Sequence, residues 1–178
     1  RHGQAALGAH RVAAHAWAGG LEAEAVEATL QAALKDRELG LIDEAQAMLA
    51  AAIARTSDTL RQVRLELEAA ECAETSGDLA RAEVHVQAVL ERTGEPRLRA
   101  LALAVRVVVL YNQGQLAQAR QLADQIVALD PDWPDRHTIG GKLAYGAGDF
   151  AGAIAHMQAH VALLRARGPG SELAAALS

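Results

Sequence analysis

Two histidines four residues apart, in "HMQAH" (156–160), are the first place in this chain to look for chemistry. On a helix that spacing puts both imidazoles on one face, where they can share a metal ion. A tetrahedral site needs two further ligands, and no Cys, Asp or second His motif stands nearby in the sequence to supply them. The residue after His156 is Met157, not the Glu that serves as general base in zinc-dependent hydrolysis. The repeat phase set out below predicts that His156 points outward, as does its equivalent His85, while His160 faces the next hairpin. His10 and His15 are five apart and share no helix face well. The single thiol, Cys72, lies between Glu71 and Ala73, with Glu74 close behind. Neighbouring carboxylates raise a thiol pKa, so Cys72 reads as a small core residue and not as a nucleophile. "GAGDF" (146–150) and "GPG" (168–170) lack the spacing of a phosphate-cradling loop and read as turns. No Ser/His/Asp grouping has positional support. The chain is therefore expected to be non-enzymatic, with no catalytic residues, no metal and no cofactor.

The elements that carry these residues follow from composition. Of 178 residues, 51% are hydrophobic but only 3% are aromatic, so Ala, Leu and Val dominate. Ala and Leu are the strongest helix formers, and Ala lets helices approach closely, which predicts an all-α chain. The net charge is −5, with no basic stripe, which argues against direct nucleic-acid contact by this segment. The longest apolar run, "ALALAV" and "VVVL", is interrupted by Arg106, so no membrane span is expected. One cysteine cannot form an internal disulfide, which favours a reducing, cytoplasmic location. Both termini fall inside helical patterns, "RHGQAALGAH" and "SELAAALS", so the chain is expected to be a fragment of a larger protein.

A Gly followed five residues later by Ala recurs at Gly40/Ala45, Gly77/Ala82, Gly114/Ala119 and Gly148/Ala153, with Gly spacings of 37, 37 and 34. Gly20/Ala25 fits the same anchor. Each Gly stands between two segments whose apolar residues recur three and four apart, the one-sided stripe of an amphipathic helix. A helix that reverses within one or two residues needs a left-handed backbone, which Gly adopts freely. The Ala, with Ala33, Ala70 and Gly141 seven residues before their turn Gly, gives the close contact inside each hairpin. Pro131 and Pro134 are expected to end one helix and begin the next; Ser57-Asp58 and Gly94 with Pro96 do the same work earlier. About nine helices result.

This pattern resembles the tetratricopeptide repeat (TPR) family, best over 100–167, well over 63–93 and 26–56, and weakly before 26. The resemblance implies a right-handed α-solenoid of antiparallel helix hairpins forming one domain over 1–178. Its units are 26–56, 63–93, 100–131 and 134–167, after a degenerate hairpin (1–25) and before the start of a further helix (171–178). The chain departs from the family where most units carry two large aromatics; those places hold Leu103, His137, Ala123 and Met157. The family also implies a concave wall lined by the first helix of each hairpin. Carried over residue by residue, its binding positions are Arg37, Arg64, Glu71, Glu74, Tyr111, Asn112, Lys142 and Tyr145. Tyr111 and Tyr145, one repeat apart, read either as recognition residues or as packing beside the turn. Arg64, Asn112 and Lys142 do not make the regular Lys/Asn set of chaperone-tail clamps, and Glu71 and Glu74 would repel an acidic tail.

The stretch 10–54, with its "HAWAGG" helix end, long Ala-rich helix and "GLIDEA" turn, is similar to the start of TPR-like regions in large bacterial regulators. Those proteins combine an ATPase module with a helical-repeat sensor. The resemblance implies a sensor or interaction region of a transcriptional or signalling regulator, binding a protein or peptide partner or a small-molecule effector. The alternative is a structural adaptor that holds an assembly together. Apolar faces left by cut ends also allow a homodimer.

Overall fold

Five glycines set the architecture: Gly20, Gly40, Gly77, Gly114 and Gly148 all adopt φ between +71° and +80°. They separate helices of the structure, a computed structural model that describes residues 2–129 and 136–166, with side chains from residue 8 onward. The helices are α1 (His2–Ala18), α2 (Glu22–Glu38), α3 (Ile42–Arg55), α4 (Thr59–Thr75), α5 (Leu79–Arg92), α6 (Pro96–Asn112), α7 (Leu116–Leu129), α8 (Arg136–Gly146) and α9 (Phe150–Ala166). Helices are the only regular elements among the described residues, so the all-α reading holds. The Pro131 and Pro134 boundary, the "GPG" turn at 168–170 and the helix start at 171–178 lie outside the described residues.

Gly40 shows how a turn works. Its own N–H donates to the Arg37 carbonyl at 3.1 Å, and the Leu41 N–H donates to the Asp36 carbonyl at 2.8 Å. These two bonds satisfy carbonyls that the ending helix leaves open, and only a left-handed residue can make both. The same pair of bonds recurs at Gly20, Gly114 and Gly148. The next helix then begins at once. Asp78 and Asp149, each directly after a turn glycine, accept from the backbone N–H of Arg81 and Gly152. Between hairpins the punctuation is different but serves the same end. Asp58 caps α4 through the Arg61 N–H, Pro96 opens α6, and the Glu95 carboxylate accepts from the N–H groups of Arg97 and Leu98.

The chain divides into two compact units, 1–105 and 106–178, with the division inside α6. In the first, α1 packs on α2, α2 on α3, α3 on α4 and α4 on α5, and α2 also meets α4. Its core includes Val26, Leu49, Leu65 and Cys72, together with Ala33, Ala45 and Ala69. Trp17 ties α1 down: its indole N–H donates to Thr29 Oγ1 at 3.1 Å, and the Arg55 guanidinium lies 4.6 Å from its ring centroid. Another link joins the same helices, since His10 Nε2 stands 2.8 Å from the buried Asp36 carboxylate. In the second unit α8 packs on both α7 and α9. Its buried residues include Ala119, Ile126, Ile139 and Leu143.

Candidate binding surfaces

In the first unit, α2, α4 and the start of α6 enclose a groove of about 360 Å³. Leu30 and Leu34 come from α2, Leu67 from α4, and Leu98 and Leu101 from α6. Residues at i, i+3, i+4 and i+7 share a helix face, so the sequence places Glu27, Leu30 and Leu34 in one row on α2, opposite Arg64, Leu67 and Glu71 on α4. Leu34 remains 41% exposed. Charge rims the apolar floor. Arg64 forks onto the Glu27 carboxylate, with Nη2 at 3.0 Å from Oε2. Arg37 Nε donates to Glu68 at 3.0 Å, and its Nη2 reaches Glu71 at 2.8 Å. The hydrogen bond from Arg64 holds the Glu27 carboxyl below its ordinary pKa, and the same bond raises the Arg64 guanidinium. For Arg37 burial opposes the charge, but Glu68 and then Glu71 outweigh it and raise the pKa.

Of the eight residues assigned from sequence, Arg37, Arg64 and Glu71 thus come together along the groove of the first unit. Glu74 lies at the C-terminal end of α4, where its carbonyl accepts from the turn residue Gly77. The other four belong to the second unit. Tyr111 rests against α8: a Cβ added at Gly146 would fall 2.4 Å from Tyr111 Cε2, so the glycine makes room for the ring. Tyr145 is 62% exposed and meets Phe150 edge-on, with ring centroids 5.5 Å apart. Asn112 and Lys142 are exposed at the end of α6 and on α8.

Cys72 is fully buried, and burial first, with Glu68 next, pushes its thiol up to about 12. Such a thiol is inert as a nucleophile near neutral pH.

The outward orientation expected for His156 and His85 is corrected. Both turn toward the first helix of their own hairpin. His85 Nδ1 lies 2.6 Å from Glu66 Oε2 on α4. The His156 ring lies on α8, occupying the space that a Cβ at Gly140 would need, and its centroid is 5.8 Å from that of His137. The reason is local in each case. A buried carboxylate draws one imidazole inward, and a glycine opens the seam for the other. No group of three or more His, Cys, Asp or Glu that could hold a metal ion occurs among the described residues. No described helix is long and apolar enough to cross a membrane.

Sequence reasoning missed a second cavity, between α7 and α8. Its signal was present as the glycine pair Gly140-Gly141 inside a helical segment, where each glycine costs roughly 1 kcal/mol relative to Ala. The repeat pattern accounts for Gly141 alone, as the small contact.

No family model matches the chain, and no curated protein matches it. Among solved structures it is similar to one described as "MamA RS-1 ArsTM double mutant", at 15% identity and a TM-score of 0.57, covering 93% of this chain and 97% of that one. At that identity the likeness speaks for the fold: an all-α, TPR-like array of antiparallel helix hairpins.

Proposed function

We propose that this chain is a non-enzymatic interaction domain whose α2–α4–α6 groove holds an apolar segment of a partner protein. The observation that carries the proposal is the groove itself, a leucine floor between rims of Arg and Glu, with Leu34 open to solvent. Apolar anchors set in a charged rim are the usual composition of a peptide-binding groove. In the second unit, exposed Tyr145 and Lys142 are the proposed contacts, and Tyr111 on α6 supports them by packing against α8. The finer role, a sensor region of a bacterial transcriptional or signalling regulator in the cytoplasm, rests on the resemblance of residues 10–54.

A second role, structural adaptor, draws on one specific observation: Arg64 pairs with Glu27, and Arg37 with Glu68 and Glu71. Cations already neutralised by their own wall suit a permanent scaffold better than a switch. Photo-crosslinking from position 34, with position 84 on α5 as an off-groove control, tests both. A partner captured from position 34 and released by Leu101→Glu supports the groove. Equal capture from both positions, or capture insensitive to Leu101→Glu, overturns it. Capture that depends on an effector marks the sensor, and constitutive capture marks the adaptor.

A further inference from the structure

The cavity between α7 and α8 has a volume of about 340 Å³ and lies wholly within the second unit. That is enough for a small molecule and too little for a folded segment of chain. Its floor is apolar and buried: Ile126 from α7, with Ile139 and Leu143 from α8. Its back wall is the His156 ring, seated on Gly140.

Two opposite charges stand over this floor. Arg120 and Asp124 both line the cavity from α7. They are spaced i, i+4, where a mutual ion pair is the ordinary outcome. Yet among the described residues neither side chain makes an ion pair or hydrogen bond, with the other or with any third group. The other lining carboxylate, Asp149, is engaged in capping α9 through the Gly152 N–H. The polar rim therefore offers one positive and one negative site, side by side, above an apolar floor. None of the wall residues assigned from the repeat pattern lines this cavity.

We infer that this cavity binds a small zwitterion with an apolar side chain, a free apolar α-amino acid. The ligand carboxylate meets Arg120. The ammonium meets Asp124. The side chain lies on Ile126, Ile139 and Leu143. His137, close behind, has its pKa lowered by burial first, and then by Arg136, His156 and His160.

Isothermal titration of the whole chain with L-leucine is the test, with L-leucinamide and 4-methylpentanoate as probes lacking the carboxylate and the ammonium. Saturable one-to-one binding of leucine is expected, with each analogue weaker by about tenfold or more. Arg120→Gln should weaken leucine to a similar degree and leave leucinamide unchanged. Asp124→Asn should weaken leucine and leave 4-methylpentanoate unchanged. Both side chains are exposed, so circular dichroism of the variants should match the parent. No saturation by roughly 10 mM of either leucine or phenylalanine overturns the inference, since such a Kd is weaker than a built site would give. So does equal binding of the analogues, or leucine binding that survives both substitutions.

Discussion

The hairpins α4–α5 and α8–α9 place different chemistry at the same two positions. Glu66 and His137 precede their turn glycines, Gly77 and Gly148, by the same eleven residues, and His85 and His156 follow those glycines by the same eight. In α4–α5 the two places hold an acid and an imidazole 2.6 Å apart, with the Glu66 side chain only 8% exposed. In α8–α9 they hold two imidazoles, tilted by 49°. The helix beside them differs too, with Ala69 in α4 where α8 has Gly140. By sequence the same places read Thr29 and Met48 around Gly40, then Leu103 and Leu122 around Gly114. The turn and the small contacts hold the hairpin, while the pair inside it is free to vary.

The largest way to break this comparison is to remove one partner of the acid–imidazole pair. Among the described residues, His85→Ala leaves Glu66 buried with only Arg92, at 3.9 Å, as a counter-charge. A stranded buried carboxylate should lower the unfolding free energy by about 2–3 kcal/mol, read from urea melts at neutral pH. The double change Glu66→Leu, His85→Leu should recover most of that loss, because well-packed apolar residues often replace a buried pair without penalty. A loss within error for His85→Ala would make the pair ornamental.

A smaller effect separates the two glycines of α8. A Cβ at Gly141 meets nothing nearer than 3.6 Å, so Gly141→Ala should raise stability by about 0.5–1 kcal/mol through helix propensity alone. A Cβ at Gly140 would fall 2.5 to 2.9 Å from the His156 ring atoms, so Gly140→Ala should forfeit that gain as the ring is expelled. Thermal melts of the two variants, side by side, check this.

The smallest expected effect is a pH slope. Burial, then Arg136, His156 and His160, hold His137 below the ordinary histidine pKa. A histidine with a lowered folded-state pKa binds protons more readily when unfolded. Stability should therefore fall as pH drops below about 6.5, and level off once the pH passes below the folded-state pKa. His137→Gln should flatten this part of the Tm profile, and an unchanged profile would remove His137 from the account.

The fold was legible because its punctuation is steric. A positive φ demands Gly, and a close contact demands Ala or Gly, so Gly20, Gly40, Gly77, Gly114 and Gly148 announce every hairpin. Amphipathic periodicity supplied the helices between them. The groove of the first unit was legible in part, since Leu30, Leu34, Arg64 and Leu67 recur at helical spacing on successive first helices. Side-chain direction inside a hairpin was not. Whether His85 turns inward depends on Glu66, nineteen residues earlier, and whether His156 does depends on a missing methyl at Gly140. Neither is a property of the histidine's own helix. The pairing of Arg37 with Glu68 was hidden for the same reason, because it joins residues 31 apart.

Cys72 gives the chain a timekeeper. Its thiol is buried, alone, and raised to about 12, so at pH 7 the closed state holds it as the unreactive thiol. An aromatic disulfide reagent should leave it unmodified until α4 lifts from its neighbours, and then react at once. In mild urea the labelling rate should rise with the population of opened first units, and saturating reagent should convert that rate into the opening rate itself. One sulfur atom, with no competing thiol anywhere in the chain, dates each opening of the core around it.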